Sequence, residues 1–233
     1  MANIERDFPK LEKIIKVKFK NKDLIKQALV HRSYLNEHPS FELDHNERLE
    51  FLGDAVLELV VTEHLYLNYE NPEGELTNWR ASLVNSKMLS KIANELEVDE
   101  FLYLSRGEQK DTGKGRQYIL ANAMEAIIGA IYLDQGWDKA NKFIQTFILK
   151  ELPEILEKKL YVDPKSRFQE VAQEKTGVTP TYKVLKEFGP DHAKQFEVAV
   201  LLKNEQIAVG KGFSKQEAQE DAASRGLEEK GWE

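Results

Sequence analysis

Apolar residues recur at every third or fourth position in five runs of the chain: residues 8–19, 21–35, 46–69, 76–96 and 116–135. That spacing lines one face of a 3.6-residue repeat and predicts helices. His38-Pro39-Ser40, Asn71-Pro72-Glu73-Gly74 and Asp111-Thr112-Gly113-Lys114-Gly115 separate the runs. A last helix of this series is expected from about Trp137 to Leu160, kinked or restarted at Pro153. The pattern changes at Tyr161-Val162-Asp163-Pro164. Residues 163–177 read as a helix with Asp163 as N-cap, Pro164 in the first position and Gly177 as terminator. Strand-like runs follow at 179–189, 194–204 and 205–213. Residues 214–231 return to helix, with Ser214 as N-cap and Glu217 completing a capping box. The expected organisation is a mainly α domain over 1–160 and a small α+β domain, ordered α-β-β-β-α, over 161–233.

Two helices break their own pattern. In residues 45–60, HNERLEFLGDAVLELV, the acids Glu47, Glu50 and Asp54 fall within roughly 60° of one another, and Glu58 lies on the same line. Like charges at this spacing repel. Asp54 follows Gly53 inside an apolar stretch, and Phe51 sits on the acidic side, where a solvated face has no use for a large aromatic. The run YILANAMEAIIGAIYL is apolar almost all round, so it should be buried. Its strong polar groups are Asn122 and Glu125, at i and i+3. A buried carboxylate needs a cation, a hydrogen-bond network or a raised pKa. Side by side, the two helices offer only oxygen donors: Glu50, Asp54, Asn122 and Glu125. Such a set suits Mg²⁺ or Mn²⁺ and not zinc. Hard divalent ions held by carboxylates serve phosphate-ester chemistry, activating a water and neutralising the leaving oxygen.

Composition narrows the choices. The chain has 233 residues and no cysteine, so disulfides and thiolate chemistry are excluded. MANIERDFPK has no apolar core of a secretory signal, and no run approaches the length of a membrane span. A soluble, cytoplasmic protein is the expectation. The net charge of −7 argues against a polyanion partner unless cations are gathered locally.

NERLEFLGDAVL closely resembles the defining motif of the ribonuclease III family. ALVHRSYLNE, EGELTNWRASLVNSKMLSKIA and ILANAMEAIIGAIYLDQGW are similar to the flanking family blocks, in the same order. DPKSRFQE, GPDHAKQFEVAV and GKGFSKQEAQEDAA resemble a double-stranded-RNA-binding domain. The resemblance covers nearly the whole chain. It implies a homodimeric helical endonuclease that cuts both strands of duplex RNA in RNA processing and maturation (rRNA, mRNA). The products it implies are 5′-phosphate and 3′-hydroxyl ends with short 3′ overhangs, and it implies no small-molecule cofactor. By position, Glu50, Asp54 and Glu125 match Mg²⁺ ligands, Glu47 a neighbour that positions water or substrate, and Glu75 an acid near the substrate strand. Phe51 matches an aromatic knob that enters the partner subunit. The family usually has Asp where this chain has Asn122, which leaves three negative charges in place of four. A duplex-RNA-binding protein that keeps the nuclease fold as a dimer scaffold is the alternative. His31, in ALVHRSY, is read as structural.

In the second domain the resemblance places Ser166, Gln169 and Glu170 at one minor groove, His192 at the next, and Ser214 and Lys215 at the phosphates between. Gln216 and Gln219 stand where lysine is common in the family. From Tyr161 onward 11 Lys and Arg face 13 Asp and Glu, a net of −2. Lys194, Lys211 and Lys215 are the candidate local patch.

Overall fold

A computed structural model describes residues 6–189 and 194–232. It divides into two compact units, Met1–Tyr161 and Val162–Glu233. In the first, the helices are α1 Phe8–Ile14, α2 Lys22–Ala28, α3 Arg32–Glu37, α4 Glu47–Asn68, α5 Glu73–Val84, α6 Ser86–Glu95, α7 Lys114–Gln135, α8 Trp137–Phe147 and α9 Leu152–Glu157. Helix α7 is the core element. From Ile119 to Ile131 it is buried on all sides except at Asn122 and Glu125. Helix α4 lies along it, with α2, α6 and α8 packed around.

The approach of α4 to α7 depends on two glycines. A Cβ built on Gly53 would overlap the Glu125 carbonyl and lie 2.8 Å from the Gly129 nitrogen. A Cβ on Gly129 would overlap the Leu49 carbonyl and lie 3.1 Å from the Gly53 nitrogen. The two backbones therefore touch with no side chain between them. The crossing sets Glu50 and Asp54, beside Gly53, against Asn122 and Glu125, one to two turns before Gly129.

Several expected helices are shorter than their apolar runs. The 8–19 run stops at Ile14, and Lys16 turns left-handed with φ 57°. The 21–35 run splits because Val30 bridges Tyr103: Tyr103 N–H donates to Leu29 O at 2.9 Å, and His31 N–H to Tyr103 O at 3.1 Å. The 76–96 run extends forward to Glu73 and breaks at Asn85, whose side chain accepts the Met88 N–H at 2.9 Å and caps α6. Gly74 and the Lys114-Gly115 pair lie inside first turns of helices, not in breaks. The last helix interrupts at Ile148, ahead of Pro153, which sits in the first turn of α9 where its missing N–H costs nothing.

In the second unit α10 is Pro164–Thr176 and α11 is Lys215–Lys230; β1 Thr181–Phe188, β2 Gln195–Leu202 and β3 Glu205–Gly212 form an antiparallel sheet in that order. Both helices cover one face, packing Phe168, Ala172, Ala222, Ala223 and Leu227 against Val200, Leu202 and Ala208. Asp163 accepts the Ser166 N–H at 2.9 Å, Gly177 closes α10 with φ 68°, and Ser214 accepts the Glu217 N–H at 3.1 Å. The Glu217 carboxylate reaches back to the Phe213 N–H at 3.0 Å, one residue before the donor a capping box uses. Among the described residues no helix is long and apolar enough to cross a membrane.

Gly53→Ala should push α4 off α7. The expected loss is about 3 kcal/mol or more, because backbone rather than a flexible side chain must yield; denaturant unfolding measures it, and a loss under about 1 kcal/mol would contradict the contact.

Candidate active site

The crossing of α4 and α7 forms a small acidic surface on an otherwise apolar interface. Asn122 hydrogen-bonds the Glu50 carboxylate. Burial, with the negative charges of Glu47 and Asp54, raises the Glu50 pKa, and the Asn122 amide partly opposes this. Glu125 is more strongly affected. Burial and the charges of Asp54 and Glu50 push it up to about 8. Among the described residues, the charges that act on Glu125 are those of Asp54 and Glu50, both negative. Asp54 is exposed on the same face of α4.

The rest of the acidic row has other partners. Glu58 is 3.0 Å from Arg80 Nε on α5, and Arg80 also donates to the Thr62 hydroxyl at 2.9 Å. This arginine, which the helical pattern gave no reason to single out, takes Glu58 out of the set. Glu47 lies 3.5 Å from Arg32 and 3.8 Å from His45. Glu75 opens α5 and accepts from Asn71 at 2.9 Å; it is not among the charges acting on Glu50 or Glu125. His31 caps α3, its Nδ1 accepting the Ser33 N–H at 3.3 Å, and burial lowers its pKa.

The donor set is chemically that of a hard divalent cation: three carboxylates and an amide oxygen. An amide can serve both neighbours, its N–H₂ a carboxylate and its carbonyl oxygen a cation. Among the described residues, no three Asp, Glu or His side chains are gathered closely enough to enclose an ion as they stand. What brings the four together is their placement on facing helices and their electrostatic coupling.

The outward side of α4 carries a second row. Phe51 is 80% exposed, Leu59 57% and Tyr66 76%. These positions share a face at helical spacing, and their exposure is far from what large apolar side chains normally show.

Comparison with known proteins recognises both units of the chain. A Ribonuclease-III-like family model matches residues 21–152, and a double-stranded RNA binding motif matches residues 164–230. Ribonuclease 3 of Campylobacter jejuni subsp. jejuni serotype O:6 is 44% identical over 232 residues, 99% of each chain. The chain belongs to the ribonuclease III family. Ribonuclease 3 of Nitratiruptor sp. is 42% identical over 223 residues, covering 95% of this chain and 96% of that one. Among solved structures, the nuclease domain of ribonuclease III from C. jejuni superposes with a TM-score of 0.56 at 43% identity, covering 66% of this chain and 98% of that one. A second structure of that domain, described for flexibility in a region involved in dimer formation, gives 0.57 at 42%, with 63% and 99% covered. This member is an endoribonuclease of the ribonuclease III type, with a helical nuclease domain and an α-β-β-β-α domain of the duplex-RNA-binding kind.

In that second domain Ser166, Gln169 and Glu170 are all exposed on one face of α10. Ser214 caps α11, and Lys215 is its first residue. His192 lies outside the described residues. The candidate lysine patch divides. Lys194 and Lys215 converge on one carboxylate, Glu187, at 3.0 and 3.1 Å. Lys211 points the other way. An added Cβ on Gly210 would lie 2.7 Å from Ala222 Cα, and one on Gly212 2.6 Å from Ala218 N, so those positions face α11. Lys211 between them faces the opposite side of the sheet, where it meets Glu197 at 3.1 Å. Glu187 was the residue missed; an acid at a strand end is a weak signal until the fold sets two lysines beside it. In the first domain Arg116 pairs with Asp99 at 2.5 Å.

The shift on Glu125 has a defined sign. Folded, it holds its proton up to about pH 8; unfolded, it releases it in the ordinary carboxylate range. The folded state therefore binds more protons across that window, and stability falls as pH rises through it. In a chelating buffer the melting temperature of the parent should drop relative to Glu125→Gln between about pH 5 and about pH 8.5. Parallel curves would show that Glu125 titrates normally.

Proposed function

We propose that Glu50, Asp54, Glu125 and the amide oxygen of Asn122 hold Mg²⁺, with Mn²⁺ able to replace it, and that the site cuts double-stranded RNA. The observation that carries this is Glu125, a carboxylate in the buried stretch of α7 on which, among the described residues, only the negative charges of Asp54 and Glu50 act. A bound dication would supply the missing positive charge, favour the ionised form of Glu125, and bring Lewis-acid activation of water to a phosphodiester. The chain's own groups arrange the rest. Asn122 steadies Glu50, and Glu47, set between Arg32 and His45, is placed to orient water or the substrate strand. Glu75, at the start of α5, serves near the strand being cut.

Each cut leaves a 5′-phosphate and a 3′-hydroxyl, and two offset cuts leave short 3′ overhangs. Two sites are needed for two strands, and the row Phe51, Leu59 and Tyr66 is suited to pair one subunit with another, Phe51 acting as the knob. Ser166, Gln169, Glu170, Lys194, Ser214 and Lys215 engage the duplex through shape and phosphate contacts, and His192 is assigned to the neighbouring groove. Lys211 is left outside this face. A role in RNA maturation in the cytoplasm accords with this chemistry.

Purified protein should cut long duplex RNA with Mg²⁺ or with Mn²⁺ on a gel; intact binding without cutting in either metal would favour the dimer scaffold instead. Glu125→Gln should lower cutting by about a hundredfold or more, since loss of a ligand costs several kcal/mol of barrier, while duplex binding stays unchanged in a mobility-shift assay. Residual cutting above about a tenth of the parent would remove Glu125 from the ligand set.

A further inference from the structure

Lys194 and Lys215, the two lysines proposed to meet RNA in the second domain, are already engaged. Glu187 is the next-to-last residue of β1, an edge strand, and its register partner on β2 is Phe196. Lys194, just before β2, lies 3.0 Å from one Glu187 oxygen, and Lys215, opening α11, lies 3.1 Å from the other. Both ammonium groups also stand over the Phe196 ring, at 5.8 and 5.6 Å from its centroid. The result is a compact group: two cations, one aromatic floor and one carboxylate between the cations. Together they carry a net charge of +1, where the lysines alone would carry +2.

The position of the carboxylate matters as much as its charge. It lies beside the first residue of a 16-residue helix, where backbone N–H groups and the helix dipole favour an anion. Two ammonium groups at a helix N-terminus are the surroundings a phosphate seeks. The two lysines also hold the Glu187 pKa below the usual carboxylate range, so it stays ionised throughout the neutral range.

We propose that Glu187 is an internal stand-in for an RNA phosphate. It occupies Lys194 and Lys215 in the free protein, must give them up when duplex RNA docks, and so holds down affinity for RNA that offers only phosphates. The proposal rests on the reading that this face binds duplex RNA. All three side chains are substantially exposed, at 37% for Glu187, 43% for Lys194 and 57% for Lys215. Exposed ion pairs are weak and exchange readily, so the lysines are available to a phosphate that arrives with the rest of the duplex. When RNA takes a lysine from a fixed acid, the freed carboxylate gathers a cation, so fewer counterions are released in net and the salt dependence is flatter.

The test uses the full chain and a duplex of about 30 base pairs, room for two binding domains, without divalent ions so that the RNA stays whole. Fluorescence anisotropy reads affinity from about 50 to about 200 mM KCl. Glu187→Gln should bind about fivefold tighter near physiological salt, and the slope of log affinity against log salt should steepen by roughly one, the contribution of one more neutralised phosphate. Glu187→Thr, which suits an edge strand, should do the same and guards against a packing artefact of the first variant. Lys194→Gln and Lys215→Gln should each weaken binding. If the lysine variants weaken binding but both Glu187 variants leave it unchanged or weaker, the face binds RNA while Glu187 merely orients the lysines, and the proposal is overturned. If the lysine variants bind like the parent, the RNA face itself is misassigned, and the proposal falls with it.

Discussion

The contact between the backbones of α4 and α7 governs this molecule. Gly53 and Gly129 let two long helices meet without side chains between them. Close packing at that point is what allows groups on different segments, more than 60 residues apart in the chain, to share an electrostatic environment. With larger residues there, the helices would stand further apart, and Glu125 would be an isolated acid in an apolar interface. The meeting of these acids therefore rests on the absence of two methyl groups.

The same crossing explains why the acidic row on α4 is not one functional unit. Only the portion beside Gly53 faces α7. Further along, Arg80 answers Glu58, and at the start Arg32 and His45 flank Glu47. The row is a sequence of local solutions to repulsion, and only in the middle does the protein leave the charge unanswered. Asn122 fits this economy: an amide can donate to Glu50, which an aspartate at the same position could not do when ionised.

Much of this was readable before any coordinates. Helical spacing located α4 and α7, and the polar breaks in their patterns marked Glu50, Asp54, Asn122 and Glu125. The caps at Asp163, Gly177 and Ser214 set the limits of α10 and the start of α11. What escaped depends on distant partners. The Val30–Tyr103 bridge that parts α2 from α3 joins segments whose pairing leaves no local trace. The break at Ile148 has no breaker residue of its own. Lys211 was grouped with Lys194 and Lys215 by charge alone, whereas strand alternation sends it to the other side of the sheet, and Glu187 gained meaning only from its neighbours.

Helix α4 bears two rows on one rigid rod, one holding Glu50 and Asp54 beside the α7 crossing and one holding the exposed apolar side chains Phe51, Leu59 and Tyr66. Inserting or deleting a single residue within it would rotate everything downstream by about 100°, moving both rows at once. Such a helix tolerates substitution but not changes of length, so the acidic edge and the outward surface are locked in phase and must be inherited together.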